Sequence, residues 1–196
     1  MKGDGIMTET GVIHGRFQVL HLKHMEYLLA AKMRCRTLYV GITHPDISVY
    51  PATSPLDEHG TTKTDNPLTY IERYEMIRDA LLDFSVKREE FEIIPFPITS
   101  PDVLLQYTPV DAVYYMSICS PWDEEKYQIL RSLDLNVEVL WRRTGEEKGI
   151  TGSELRGMIA RGEDWQQYTP KTAAEYLERN SIDQRIRQLY YTYGGK

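Results

Sequence analysis

Cysteine is scarce in this chain: Cys35 and Cys119 are the two among 196 residues, with no Cys-x-x-Cys spacing. That excludes a disulfide framework and a cysteine-built zinc site, and both are expected to be ordinary reduced thiols. Long apolar runs are missing too. None approaches the roughly 20 residues that a membrane-spanning helix needs, and Met1-Lys2-Gly3-Asp4-Gly5 contains no signal-peptide core. The expected location is the cytoplasm, with no membrane partner. Positive charge is in deficit, since 23 Lys and Arg face 29 Asp and Glu for a net charge of -6. A general nucleic-acid binder usually presents a basic surface, so nucleic acid is excluded as a partner. An acidic chain that binds a polyanion must gather its positive charge locally. Internal repeats and low-complexity tracts are also lacking.

What is present suits one α/β domain: 41% hydrophobic and 27% charged residues, with short β-type runs alternating with helical patterns. Strands are expected over 12–17, 37–42, 91–95, 111–116 and 137–141, and helices over 22–33, 69–84 and 121–133. The spacing of Ile71, Tyr74, Ile77, Leu81 and Leu82 marks the second helix, and Thr69 with Glu72 makes a capping box at its start. A short helix is expected from Ser100-Pro101-Asp102 through Gln106, another over 153–161 stopping at Gly162, and two more over 172–179 and 181–191. This predicts a doubly wound parallel sheet of about five strands. The boundaries expected are a disordered segment over 1–10, a main domain over 11–165 and a C-terminal helical cap of that domain over 166–196. The proline-rich stretch 43–67 reads as a long loop, either a binding lid or a mobile surface segment.

The segment Gly15-Arg16-Phe17-Gln18-Val19-Leu20-His21-Leu22-Lys23-His24 follows the apolar run Gly11-Val12-Ile13. It places an arginine and two histidines at a strand-to-helix junction, where free backbone N–H groups and the helix dipole favour an anion. Histidines three apart lie on one helix face, so both rings can address one ligand, although a plain pair of helix-start caps is the alternative. Such a site can stabilise a phosphorus centre that gains charge as an oxyanion attacks and pyrophosphate leaves, with no protein nucleophile.

These residues resemble the phosphate motif of the HxGH nucleotidyltransferase superfamily. Ile150-Thr151-Gly152-Ser153-Glu154-Leu155-Arg156 is similar to its Ile-Ser-x-Thr-x-x-Arg signature, and Asn66-Pro67-Leu68-Thr69-Tyr70-Ile71-Glu72-Arg73 resembles the Asn-Pro-Phe-Thr-x-x-Glu-Arg segment of archaeal-type nicotinamide-mononucleotide adenylyltransferases. Gly162-Glu163-Asp164-Trp165 has the look of that branch as well. The resemblance implies a Rossmann-like fold and transfer of a nucleotidyl group to a phosphate-bearing small molecule. It implies catalytic roles for Arg16, His21, His24 and Arg156, and nucleotide contacts from Gly15, Phe17, Gln18, Lys23, Ile150, Thr151 and Ser153. Trp122 and Arg73 are candidates for the acceptor, and a Mg²⁺ ion held mainly by the triphosphate is the implied cofactor.

Three departures are visible. Lys23 stands where the superfamily has a glycine; the stretch 95–108 has neither the Trp nor the Asn that grips nicotinamide; and Ser117-Ile118-Cys119-Ser120-Pro121-Trp122-Asp123-Glu124-Glu125 is acidic where that family is basic. AMP transfer from ATP is the first expectation and cytidylyl transfer from CTP to a phosphorylated alcohol or phosphonate the second. A nucleotide sensor that has lost catalysis, with Lys23 as the lesion, is the third. Blander expectations cover the rest. His14 is a packed strand residue, Arg142 and Arg143 a solvated strand end, and Lys148 a salt-bridged loop lysine. His44 and His59, on a loop with Asp46 and Lys63, are surface polar groups, and Tyr190, Tyr191 and Tyr193 are core or a subunit contact in a homo-oligomer.

Overall fold

The structure, a computed structural model, describes residues 7–45, 56, 62–144, 147 and 149–194. Asp46, His59 and Lys148 lie outside the described residues. Five strands, β1 (Thr8–Gly15), β2 (Cys35–Ile42), β3 (Phe91–Pro95), β4 (Val113–Ile118) and β5 (Asn136–Arg142), form one sheet in the order β3-β2-β1-β4-β5. Every neighbouring pair is parallel. The strand order reverses between β1 and β4, so a crevice opens there at the carboxyl ends, where doubly wound sheets bind ligands.

The helices are α1 (Leu22–Lys32), α2 (Tyr70–Asp83), α3 (Pro101–Leu104), α4 (Pro121–Ser132), α5 (Gly152–Arg161), α6 (Lys171–Arg179) and α7 (Ile182–Tyr193). Alternation along the strands sends successive side chains to opposite faces. Val12 and Tyr114 join Phe96, Met116 and Leu130 in one apolar cluster, while Ile13 and Tyr115 join Leu28, Ile77, Leu155 and Ile186 in the other. Ala173, Leu177 and Ile182 of the last two helices belong to that second cluster. The C-terminal helices therefore share the main core.

Local signals account for several helix ends. Thr69 Oγ1 accepts from Glu72 N–H while the Glu72 carboxylate accepts from Thr69 N–H, completing the expected capping box. Gly162 ends α5 in the left-handed conformation, at φ +72°, that glycine tolerates best. One expectation fails at the N-terminus. Residues 8–10, expected in a disordered segment, are strand, because Thr8 and Thr10 pair with Cys35 and Thr37 of β2. Of the terminal tyrosines, Tyr190 packs on the core while Tyr191 and Tyr193 are exposed.

Candidate active site

The segment after β1 is a tight turn whose backbone carbonyls are held by distant arginines. Phe17 sits fully buried at φ +52°, an uncommon conformation for a non-glycine residue. A Cβ on Gly15 would lie 2.8 Å from the Phe17 ring, so the glycine lets the turn close over it. The Gln18 amide makes two 2.8 Å hydrogen bonds to the backbone of Leu68, tying the first motif to the third.

Arg73, expected at the acceptor, stands elsewhere. It is fully buried and donates to the carbonyl oxygens of Arg16 (3.0 Å), Thr43 (2.7 Å) and His44 (2.7 Å), so it braces two loops from behind. Burial and the nearby Arg16 charge depress its pKa to about 10. Arg156, expected at the triphosphate, is likewise fully buried. It donates to the Gln18 carbonyl oxygen, to Ser153 Oγ at 3.0 Å and to Asp65 at 2.7 Å. Carbonyl, carboxylate and hydroxyl oxygens of the protein are thus the partners these guanidiniums face. Ile150 packs against the core instead of facing the site.

The second motif meets the first through α5. Thr151 caps the helix by accepting from Glu154 N–H, and a Cβ on Gly152 would lie 2.8 Å from the Gln18 carbonyl oxygen. Only a glycine admits that approach.

His21 and His24 are reciprocal caps that also line a cavity. His21 is the N-cap of α1, and its Nδ1 accepts from His24 N–H at 3.3 Å; His24 Nδ1 accepts from His21 N–H at 3.4 Å. The rings stack with centroids 3.6 Å apart. A neutral imidazole whose Nδ1 accepts carries its proton on Nε2, so both rings have the same tautomer.

Both histidines line a cavity of about 450 Å³ at the switch point. Arg16, Thr151 and Ser153 share that lining with them, as do Gly15, Phe17, Gln18 and Lys23. Across the cavity stand His14, Trp122, Asp123 and Lys126. Two acids of the stretch expected there, Asp123 and Glu124, are engaged by neighbouring groups. Glu124 turns outward to Arg142 at 2.6 Å, while Asp123 pairs with Lys126 at 2.8 Å and accepts from Cys119 N–H and the Ser120 hydroxyl. Burial alone would raise the Asp123 pKa, but Lys126 and those donors bring it below its usual value.

His14 lies on the cavity floor, stacked on Phe96 with ring centroids 4.7 Å apart. Burial, with the nearby Lys126 charge, lowers its pKa to about 3 and keeps it neutral. It is packed, as expected, and it also faces the cavity.

Lys126 and Glu26 carried no expectation from the sequence, and Arg143 is not the solvated strand end expected of it. Arg143 turns inward onto Glu26 with contacts of 2.6 and 3.1 Å, and Lys23 reaches the same carboxylate at 3.1 Å. Arg143, chiefly, holds the Glu26 pKa at about 2. The sequence signal for Lys126 is its place one turn beyond Trp122, on the same helix face. From the loop, His44 and Leu56 reach the cavity, and Lys63 lies 5.9 Å from the centroid of the Tyr193 ring. Among the described residues no three His, Cys, Asp or Glu side chains gather to hold a metal ion.

Over 178 residues, 91% of this chain and 95% of the relative, the sequence is 43% identical to the phosphonoformate cytidylyltransferase of Streptomyces viridochromogenes. The chain belongs to the nucleotidyltransferase superfamily. This nucleotidyltransferase is also 25% identical over 191 residues to the nicotinamide-nucleotide adenylyltransferase of Saccharolobus solfataricus, covering 93% of the chain and 97% of that relative. No protein-family model matches the chain. Among solved structures, a bifunctional NMN adenylyltransferase/ADP ribose pyrophosphatase from Francisella tularensis, in complex with AMP and a manganese ion, superposes with a TM-score of 0.62 at 15% identity. That match covers 93% of this chain and 52% of the bifunctional one, so the chain spans about half of it, and it bears on the fold alone. No described helix is long and apolar enough to cross a membrane.

Proposed function

We propose that this nucleotidyltransferase moves a cytidylyl group from CTP to a small phosphonate or phosphate acceptor and expels pyrophosphate. The observation that carries this reading is the 43% identity to a phosphonoformate cytidylyltransferase across nearly the whole of both chains. It moves the weight from ATP, which the second and third motifs favour, to CTP. Adenylyl transfer stays as a second reading because of the 25% identity to a nicotinamide-nucleotide adenylyltransferase.

In this reading the triphosphate lies against the stacked histidines. Their Nε2–H groups donate to its oxygens, Arg16 adds charge, and the Thr151 and Ser153 end of α5 adds hydroxyl and backbone donors. Arg73 and Arg156 act one step back, holding the carbonyls of the turn that aims Arg16 and the histidines. The acceptor occupies the side of Trp122 and Lys126, and its oxyanion attacks the α-phosphorus in line. Catalysis is positioning plus neutralisation of the charge that builds on phosphorus and on the leaving pyrophosphate. A divalent cation such as Mg²⁺ would be held mainly by the triphosphate oxygens, where it would supply neutralising charge for the leaving pyrophosphate.

The test is pyrophosphate release with each of four nucleotides against phosphonoformate, phosphorylated alcohols and nicotinamide mononucleotide. CTP with phosphonoformate is the expected productive pair. Productive turnover with ATP and nicotinamide mononucleotide alone would overturn the CTP reading, and nucleotide binding without release for any pair would favour a sensor. His24→Ala is expected to lower kcat by about 100-fold, the scale of one lost transition-state donor.

A further inference from the structure

The cavity wall between α1 and the end of β5 holds a cluster of three charges. The Glu26 carboxylate takes two contacts from the Arg143 fork, at 2.6 and 3.1 Å, and one from Lys23 at 3.1 Å. Arg143 also lies over the Trp141 ring, 4.3 Å from its centroid. Lys23, Arg143 and Trp141 all line the cavity.

We propose that Glu26 is a positioning residue that sets how tightly the site holds pyrophosphate, by keeping Arg143 and lending Lys23 to the polyphosphate. The inference rests on nucleotidyl transfer with pyrophosphate release and is independent of which base or acceptor is used.

The two contacts differ in strength. A forked guanidinium on a carboxylate is geometrically fixed and comparatively strong, and the Arg143 side chain is 27% exposed. The Lys23 contact is single, with side chains 43% and 37% exposed, so it is weak and readily exchanged. Lys23 is also aimed. Its Cε would lie 3.0 Å from a Cβ on Gly149, at φ +71°, so its stem runs along the turn that leads to the second motif. The ammonium is thereby kept beside the start of α1, where the phosphates are expected.

The charge count gives Glu26 its purpose. Among the described residues, the cationic lining side chains Arg16, Lys23, Lys126 and Arg143 face one lining carboxylate, Asp123, and that one is bound to Lys126. Glu26 supplies the charge that offsets Lys23 and Arg143. Without it, substrate triphosphate and product pyrophosphate would both bind more tightly, which does not lower the chemical barrier and slows release. The lysine that replaces the superfamily glycine is, on this account, a working phosphate contact under restraint.

The experiment measures pyrophosphate affinity by titration calorimetry and, separately, KM and kcat for the nucleotide. Glu26→Gln is expected to bind pyrophosphate about fivefold tighter, the equivalent of one exposed ion pair, with a lower KM and a lower kcat. Lys23→Met is expected to weaken pyrophosphate binding, and the double variant to lose the Glu26→Gln gain. A merely structural Glu26 would raise KM and leave pyrophosphate affinity unchanged or weaker, and either affinity result overturns the proposal. Should Glu26→Gln fold poorly, an unchanged pyrophosphate affinity in Lys23→Met overturns it instead. Pyrophosphate binding is read without turnover, so failure of CTP as substrate alongside these shifts counts against the cytidylyl reading alone.

Discussion

Arg73 shows how far a residue's role can lie from its chemical reputation. Its guanidinium is buried completely and donates to the carbonyls of residues 16, 43 and 44 as well as 69. The Thr69 carbonyl also accepts the Arg73 N–H, whereas the guanidinium is the donor that reaches the other three from α2. Arg73→Met is expected to cost about 3 kcal/mol of stability, read from chemical denaturation, because several buried acceptors lose their partner at once. An acceptor ligand on the cavity wall would instead change KM at little cost in stability. The sequence marks Arg73 through the third motif, but composition and spacing cannot say whether an arginine faces outward to a substrate or inward to a loop. The same limit applies to Arg143, read as a solvated strand end, since its partner Glu26 is 117 residues away in sequence. His21 and His24 were legible because their partners are each other.

At the level of elements, what a few neighbouring residues decide was legible and what pairing decides was less so. The capping box at Thr69 and Glu72, the Pro121 start of α4 and the Gly162 stop of α5 are local devices, and each stands as the sequence predicts. The start of β1 is not local. Thr8 and Thr10 have no apolar alternation to announce them and become strand because β2 offers a parallel partner. The single-turn 3-10 helices at Arg88–Glu90 and Gln166–Tyr168 have no periodicity long enough to be read. Thr69→Ala is expected to remove about 1 kcal/mol. It should also loosen the start of α2, detectable as faster amide exchange at Glu72. Because Gln18 is bonded to Leu68 beside that cap, the variant should raise the KM for nucleotide more than a surface change of equal cost.

Across the whole molecule, acid is expected to be destabilising well before the ordinary carboxylates titrate. His14 binds a proton in the unfolded chain below about pH 6.5, whereas in the fold it resists until about pH 3. A depressed folded value means the unfolded state binds more protons, so this stability is fully present above the unfolded value. It declines as pH falls from 6.5 toward 3, by up to about 1.4 kcal/mol per pH unit. Glu26, with a folded value of about 2, adds a loss of the same sign at lower pH. His14→Phe, which preserves a ring against Phe96, is expected to flatten the decline between pH 6.5 and 4.5 in a series of denaturation midpoints. A slope equal to wild type would place the proton elsewhere.

The cationic cavity sits inside a chain of net charge -6, and this has a kinetic side. A highly charged nucleotide meets repulsion at long range and attraction at short range. At low ionic strength the outer repulsion governs approach, and salt near 0.1 M, with a Debye length of about 10 Å, hides it while leaving the closer contacts less affected. Stopped-flow encounter rates should therefore rise with the first additions of salt and fall at higher concentrations. A monotonic fall would mean that the cavity's field already reaches into the solvent. Counterions thus act as gatekeepers of the approach to a pocket they do not occupy.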